Sequence, residues 1–510
     1  MTASADQGVS PAAREVPLAR VEGTIVVFLT SAASLIVEIV AGRMLAPYVG
    51  MSLYTWTSVI AVVLAGLSLG HWIGGHATER FHNRIRPFLA VILIAAAAST
   101  LGAIMILPAA SQFLLTRFDT AVAGITALTV SAFFIPSVAA GIPSPLIATG
   151  LVEADPGRKG RALGGLFAAG ATGSIFGTLS AGYLFISWLG STRTLIACAA
   201  IYAGLAMLIA LRGRKQLAAT TAIAIAAVLL GGFAMRGMAK FCDVESRYFC
   251  IRSVDISAQA GEPARVMVLD HLAHSMSAKN EPRRLLWPYP QLADAIARFE
   301  KGGSFKAFFI GGGAYSLPRA WADRGIDTTV AEIDPQVTAV AARDFWFDPS
   351  TTRVIHRDAR VALSAEPAGS YDVIVGDAFT DVAVPPHLIT AEFAAIVASR
   401  LKPDGIYLLH FVAPASRLDA LFAMKRTLMT AFSSADIWFD ADPVYQDSRR
   451  SFLFVARKSG VAPEHEGTGN WQRLDPEEID RRVTASNVPV LTDDYAPIDR
   501  LVGMARIGID

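Results

Sequence analysis

The pattern of apolar and polar positions divides the chain in two. Over residues 24–235, apolar stretches long enough to cross a bilayer, about 20 residues each, recur near 24–42, 54–74, 87–108, 122–150, 162–187, 193–211 and 217–235. This predicts seven spans. The first starts after some twenty polar residues and opens a series, so it does not read as a cleaved signal peptide. From 305 onward the rhythm changes, and short apolar runs alternate with helical patterns, as in a parallel sheet covered by helices. The predicted strands are Phe305–Ile310, Thr328–Ile333, Arg353–His356, Tyr371–Val375, Gly405–Phe411, Ala435–Phe439 and Ser451–Ala456, the last two forming an added antiparallel edge. Residues 242–280 read as short strands with turns. The boundaries that follow are a disordered tail at 1–23, a transmembrane helical domain at 24–235, a small β subdomain at 236–289, an α/β domain at 290–458 and a C-terminal tail at 459–510 that docks on it.

Composition and charge sharpen this division. The chain is 53% hydrophobic with mean hydropathy +0.43, too apolar for a wholly soluble protein. Residues 24–235 hold five acids and twelve bases, whereas residues 236–510 hold 36 acids and 31 bases. A net of −5 on that second half leaves no basic footprint and argues against nucleic acid as a partner. The three cysteines, Cys198, Cys242 and Cys250, are too few for a disulfide-built scaffold and lack the spacing of a zinc site, so no metal is expected.

Small residues recur at four-residue spacing in the apolar half, at Gly66, Gly70 and Gly74 and at Gly173 and Gly177, followed by Gly182. Such stripes let helix backbones approach closely; helix packing is favoured over a substrate channel, and a membrane homodimer through these faces is an expectation. Glu38 and His71 are the polar exceptions within spans. Pro136, Gly141, Pro143 and Pro145 predict a kink.

The chemistry concentrates at Phe308-Phe309-Ile310-Gly311-Gly312-Gly313-Ala314-Tyr315. An apolar strand that ends in three glycines and opens a helix lets backbone approach a nucleoside-bearing ligand where a Cβ would intrude. Glu332 follows Gly311 by 21 residues, at the end of the next strand, where an acid can hold ribose hydroxyls. The third strand ends in Arg357-Asp358-Ala359 and the fourth in Gly376-Asp377, and acids at the ends of successive parallel strands converge on one crevice. The fold class predicted is therefore a multi-span helical membrane domain followed by an α/β Rossmann-like, class I methyltransferase-type domain with its small N-terminal β subdomain. No G-x-x-x-x-G-K phosphate loop follows the glycines, so the ligand expected is a nucleoside without phosphates. S-adenosylmethionine or its decarboxylated form, acting as co-substrate with no tightly bound cofactor, fits best.

Taken together, Gly311-Gly312-Gly313, Ala331-Glu332-Ile333-Asp334-Pro335, Arg357-Asp358-Ala359 and Tyr371-Asp372-Val373-Ile374-Val375-Gly376-Asp377 resemble the polyamine aminopropyltransferases, the spermidine synthase family. The resemblance covers residues 245–458. Pro386-His387-Leu388-Ile389-Thr390 and Leu491-Thr492-Asp493-Asp494-Tyr495-Ala496-Pro497 look like the branch in which such a domain is fused behind a multi-span membrane domain.

The resemblance implies that Gly311, Gly312 and Gly313 line the methionine-derived chain, that Glu332 holds the ribose, and that Asp358, with Ala359 beside it, meets the adenine amino group. It implies that Asp377 accepts a proton from the attacking amine, with Asp381 as the second active-site acid. Trp287, Tyr289, His274 and Tyr445 are the candidate substrate-binding residues, the two aromatic rings at 287 and 289 by stacking on a cation. The small-molecule partner implied is an amine, and the product methylthioadenosine.

Three departures stand beside these matches. Ala314 occupies a position where the family usually has an acid that holds the ammonium of the aminopropyl group. Asp381 lies four residues after Asp377 instead of three, and Leu269-Asp270-His271 with His274-Ser275 replaces the family's Leu-Asp-Gly run and following Gln. Without an acid at 314, nothing there repels the carboxylate of intact S-adenosylmethionine. An enzyme that uses or cleaves the intact donor is then an alternative, and His271, His274, His387 and His410 are each weighed as a base against an ordinary structural role. The other readings are a methyltransferase on the same fold and, in a different class, a nucleoside-gated amine transporter or sensor.

Orientation sets two expectations against each other. Loops holding Arg80, Arg84 and Arg86, then Arg158, Lys159 and Arg161, then Arg212, Arg214 and Lys215 alternate with loops holding Arg43, Arg117 and Arg193. The positive-inside rule puts the first set in the cytoplasm of a bacterial-type inner membrane. Seven spans then carry residues 236–510 to the opposite side, where Cys242 and Cys250 could pair. The ligand, being cytosolic, argues for the cytoplasmic side.

Overall fold

The structure is a computed structural model that describes residues 20–502 apart from 82–83, 119, 155, 213–214, 235–240, 379–383, 416, 442–448 and 461–469. The described residues divide into two compact units, one of 20–45 and 54–241 and the other of 46–53 and 242–502.

The N-terminal unit is helical. Its described residues hold five helical runs long and apolar enough to cross a membrane: Arg20–Val49, Leu53–Phe81, Ile85–Arg117, Val122–Glu153 and Lys159–Leu211. Two of the expected spans, 162–187 and 193–211, fall within the last run. Its 53 residues would reach about 80 Å at ~1.5 Å per residue, far more than a hydrocarbon core of ~30 Å. Gly190, with φ 75° and ψ 173°, breaks the helix between them. The segment expected at 217–235 is the helix Lys215–Ala234, outside those five runs. The proline-rich kink falls at Ile142, between helices Ile135–Gly141 and Pro143–Ala154.

The glycine stripes are used within the chain. A Cβ on Gly70 would strike the carbonyl of Val138, one on Gly74 would lie 2.5 Å from that of Ile142, and ones on Gly173 and Gly177 would strike Phe28 and Ala32. At Gly70, Gly74, Gly173 and Gly177 the small-residue faces are thus occupied by neighbouring helices of the same molecule. The first described helix is Arg20–Val49, and Glu22 within it is 1% exposed. Arg86 donates to both Glu22 oxygens, at 3.0 and 2.9 Å, and Arg212 approaches to 3.6 Å. Glu38 is half-buried and His71 exposed, whereas Glu22 and Arg86 are both sealed from solvent.

The C-terminal unit starts with an antiparallel sheet of β1 (Val244–Glu245), β2 (Cys250–Asp255), β3 (Ala264–Leu269) and β4 (Leu272–Ala278), in that order. A Cys242–Cys250 disulfide closes its first hairpin. The main sheet follows with β5 (Lys306–Ile310), β6 (Asp327–Ala331), β7 (Arg353–Ile355), β8 (Tyr371–Gly376), β9 (Leu401–Pro414), β10 (Ser434–Asp440), β11 (Arg449–Arg457) and β12 (Trp471–Arg473). Its order is β12-β10-β11-β9-β8-β5-β6-β7. Neighbours among β5–β9 pair parallel, whereas β9–β11, β11–β10 and β10–β12 pair antiparallel.

Helices cover both faces, which explains why β5 reads as an unbroken apolar run. Phe308 and Ile310 enter one core with Leu363 and Phe393, and Ala307 and Phe309 enter the other with Trp321 and Leu453. The chain runs outward from β5 to β7 and then returns to place β8 on the other side of β5. That reversal opens a crevice at the C-terminal ends of β5 and β8, where open α/β sheets take their ligands.

Candidate active site

The glycine loop is shaped by what surrounds it. Gly311 has φ 95°, a region side chains avoid, and a Cβ there would lie 2.5 Å from the Asp377 carbonyl oxygen. Gly313 has φ 52°, and Tyr315, at φ 56°, starts the helix Ser316–Ala322. Tyr315 is held in that unusual backbone by burial, by a 2.7 Å hydrogen bond to Thr338 and by stacking on Phe347 at 4.0 Å. Ala314 is fully buried, and its N–H donates to Ser275 Oγ at 2.6 Å, so β4 of the small sheet covers this part of the loop.

Glu332, just past β6, turns back onto the loop. Its Oε2 accepts from Gly312 N–H at 2.9 Å and its Oε1 from Asp334 N–H at 2.9 Å. Burial pushes its carboxyl up to about 7, outweighing the backbone donors that favour the ionised form. Asp358 divides its oxygens. Oδ1 caps the helix Ala359–Ala365 by accepting from Arg360 N–H at 3.0 Å and Val361 N–H at 3.1 Å, and Oδ2 meets His387 Nε2 at 2.8 Å. Ala359 is buried as that helix's first residue. Arg360 grips Asp493 of the C-terminal segment through two bonds of 2.7 and 2.6 Å, and Thr390 adds a third of 2.8 Å. These donors hold the Asp493 carboxyl down at about 2.

At Asp377, side chains from four elements assemble. The Tyr289 hydroxyl, on the helix Pro288–Lys301, donates to Oδ2, and His410 Nδ1, on β9, lies 2.9 Å from Oδ1. The Tyr289 and His410 rings stack at 3.8 Å and 7°. His410 Nε2 reaches Ser451 Oγ on β11 at 3.1 Å. His274, on β4, feels both Asp377 and His410. Its ring keeps some accessible surface but is densely surrounded, and this desolvation pushes it down to about 4 against the attraction of Asp377.

Of the expected site residues, Gly311, Gly312, Gly313 and Glu332 thus come together at the loop, and Asp377, Tyr289 and His274 come together beside it. Trp287 is half-buried and packs against the core that also holds Tyr289. Asp358 and Ala359 lie at the end of β7, with Asp358 engaged to His387. Asp381 and Tyr445 lie outside the described residues. His410, one of four histidines weighed as a base from the sequence, is the one that the structure bonds to Asp377. The signal for it was strand register: Gly376 pairs with Leu409, so the next residue on each parallel strand is Asp377 and His410. Among the described residues no group of three or more His, Cys, Asp or Glu is arranged to hold a metal.

A glycine loop after the first strand of a helix-covered sheet, with acids at the ends of the strands that follow, defines a Rossmann-like domain of the class I methyltransferase type. No protein-family model matches the chain. An N-terminal histidine N-methyltransferase of Emericella nidulans is 32% identical over 177 residues, covering 34% of this chain and 31% of the relative. A polyamine aminopropyltransferase of Vibrio vulnificus is 31% identical over 159 residues, covering 30% of this chain and 52% of the relative. The crystal structure of a probable spermidine synthase from Corynebacterium glutamicum aligns over 48% of this chain and 94% of its own, with 18% identity and a TM-score of 0.43. The chain spans a third to a half of the length of the two curated relatives. Over about a third of its length the chain is similar to both enzymes, and it carries in addition a unit of apolar helices.

Proposed function

We propose that this protein is a membrane-bound alkyl-transfer enzyme of the aminopropyltransferase type. The observation that carries the reading is the position of Asp377: its side chain, 24% exposed, stands at the strand reversal beside the glycine loop. A nucleoside sulfonium donor would lie along Gly311–Gly313 with its ribose at Glu332 and its adenine toward Asp358. Asp377 would take a proton from the ammonium of a small-molecule amine, because a protonated amine has no lone pair. The freed nitrogen would then attack the carbon beside the sulfonium, and the carbon–sulfur bond would break with its electrons on sulfur to leave methylthioadenosine. Ala314 offers no carboxylate to repel that of intact S-adenosylmethionine, so this reading admits the intact donor as well as the decarboxylated one.

Asp377→Asn tests the base: amine-dependent turnover should fall by roughly 100-fold or more while the nucleoside still binds. Full turnover in the variant would remove this role. Methyl transfer is the second reading, favoured by the 32% identity to a histidine N-methyltransferase, and it would release S-adenosylhomocysteine instead.

For the side of the membrane, two observations support placing the catalytic half opposite the cytoplasm. The basic loops alternate as described above, and Cys242 and Cys250 form a disulfide of the kind that persists in oxidising compartments. A donor made inside the cell would then have to be carried across.

A further inference from the structure

We infer that His410 receives the proton that Asp377 removes from the amine, so that the carboxylate is restored within the same turnover. The inference rests on the reading of Asp377 as the base. His410 does not face the substrate and acts through Asp377, which makes it a positioning residue with a proton to hold.

Three features of the geometry carry this. The groups lie in a line leading inward: the Asp377 side chain is 24% exposed, and that of His410, bonded to it at 2.9 Å, is 9% exposed. Behind His410, Ser451 Oγ stands 3.1 Å from Nε2. A hydroxyl oxygen accepts from Nε2–H in the neutral and in the protonated ring alike, so Ser451 favours the neutral tautomer whose Nδ1 can take the proton from Asp377. Lastly, the Tyr289 ring lies flat on the imidazole at 3.8 Å and 7°, a face that favours a cation.

The proton count closes. A neutral His410 carries its proton on Nε2, donated to Ser451 Oγ, and presents the Nδ1 lone pair to Asp377. When Asp377 takes a proton from the ammonium, that proton passes from Oδ1 to Nδ1 across 2.9 Å, and Asp377 ends as a carboxylate accepting from an imidazolium. The groups that face His410 are Asp377 at the end of β8, Tyr289 on the helix Pro288–Lys301, His274 on β4 and Ser451 on β11. His274, held down to about 4, stays neutral at working pH and does not compete for the proton.

The test uses the full-length protein and compares His410→Gln, Ser451→Ala and Asp377→Asn in the pH profile of kcat, the KM for the amine and the affinity for methylthioadenosine. Gln keeps an N–H to donate to Asp377 but cannot take a proton. The expected result for His410→Gln is a fall in kcat of roughly 10- to 100-fold, with the acidic limb of the profile lost and KM and nucleoside affinity unchanged. Ser451→Ala, which keeps the ring, should move the same limb. A His410→Gln enzyme whose profile keeps its shape and whose kcat falls less than twofold would overturn the inference, as would equal losses of kcat and nucleoside affinity. If Asp377→Asn alone abolishes turnover, the base stands and only the transfer to His410 fails; if Asp377→Asn is fully active, the base itself fails.

Discussion

Gly311 and Asp377 are pressed together where β5 and β8 run side by side: a Cβ on the glycine would lie 2.5 Å from the aspartate's carbonyl oxygen. Because Gly311 also has φ 95°, Gly311→Ala meets both backbone strain and a collision. The substitution should cost about 1–3 kcal/mol of stability and displace the acid from the crevice. Thermal unfolding together with calorimetric titration of methylthioadenosine checks this; an alanine variant with unchanged melting and affinity would show that the close approach is not needed.

Glu332 gives a pH dependence with a definite sign. Its carboxyl sits at about 7 against an ordinary value of 4.5, so the folded state holds a proton that the unfolded chain releases in that interval. Stability therefore falls as pH rises from about 4.5 to about 7 and is level above that range. Nucleoside affinity should run the other way, since ribose hydroxyls donate to the carboxylate. Affinity should rise up to tenfold per pH unit and level off above about 7. Glu332→Gln should bind weakly with a flat profile; a wild-type profile that is itself flat would remove Glu332 from the ribose site.

Within the helical unit, the pair to test is Glu22 and Arg86, each nearly without solvent contact. Glu22→Ala would leave the buried guanidinium without its carboxylate, at a cost of about 3–5 kcal/mol. Replacing both residues by apolar ones of similar size should be far milder. Unfolding of the detergent-solubilised protein distinguishes the two, and equal melting of the single variant and the parent would contradict the account.

The disulfide makes a prediction about stability and side at once. Cys250→Ser should destabilise the small sheet by about 2–3 kcal/mol, the expectation for so short a closed loop. In intact cells, a membrane-impermeant maleimide should label half-buried Cys242 after a membrane-impermeant reductant is added, and buried Cys198 should stay unlabelled. Labelling that requires the cells to be opened would place the domain in the cytoplasm.

The central strands are legible in the sequence because they are buried on both faces. β5 shows as Phe308-Phe309-Ile310 because each alternate residue enters an apolar core, whereas β12, three residues at a sheet edge, has no such run. The glycine loop and its acids were legible because strand ends and glycines mark themselves. Glu22 was not, and His410 was legible only as one of four candidate histidines. A charge near a chain end reads as solvated tail until Arg86, 64 residues on, is brought to it, and His410 gains its meaning from the register of β9 against β8. The helix break at Gly190 was equally hidden, because its flanks are apolar on both sides.

The most direct test of alkyl transfer is the identity of the nucleoside released. Purified protein is incubated separately with S-adenosylmethionine and its decarboxylated form, with and without putrescine, and the products are read by mass spectrometry. The account predicts methylthioadenosine from at least one donor, formed only when the amine is present. S-adenosylhomocysteine as the product, or no turnover with either donor, would contradict it.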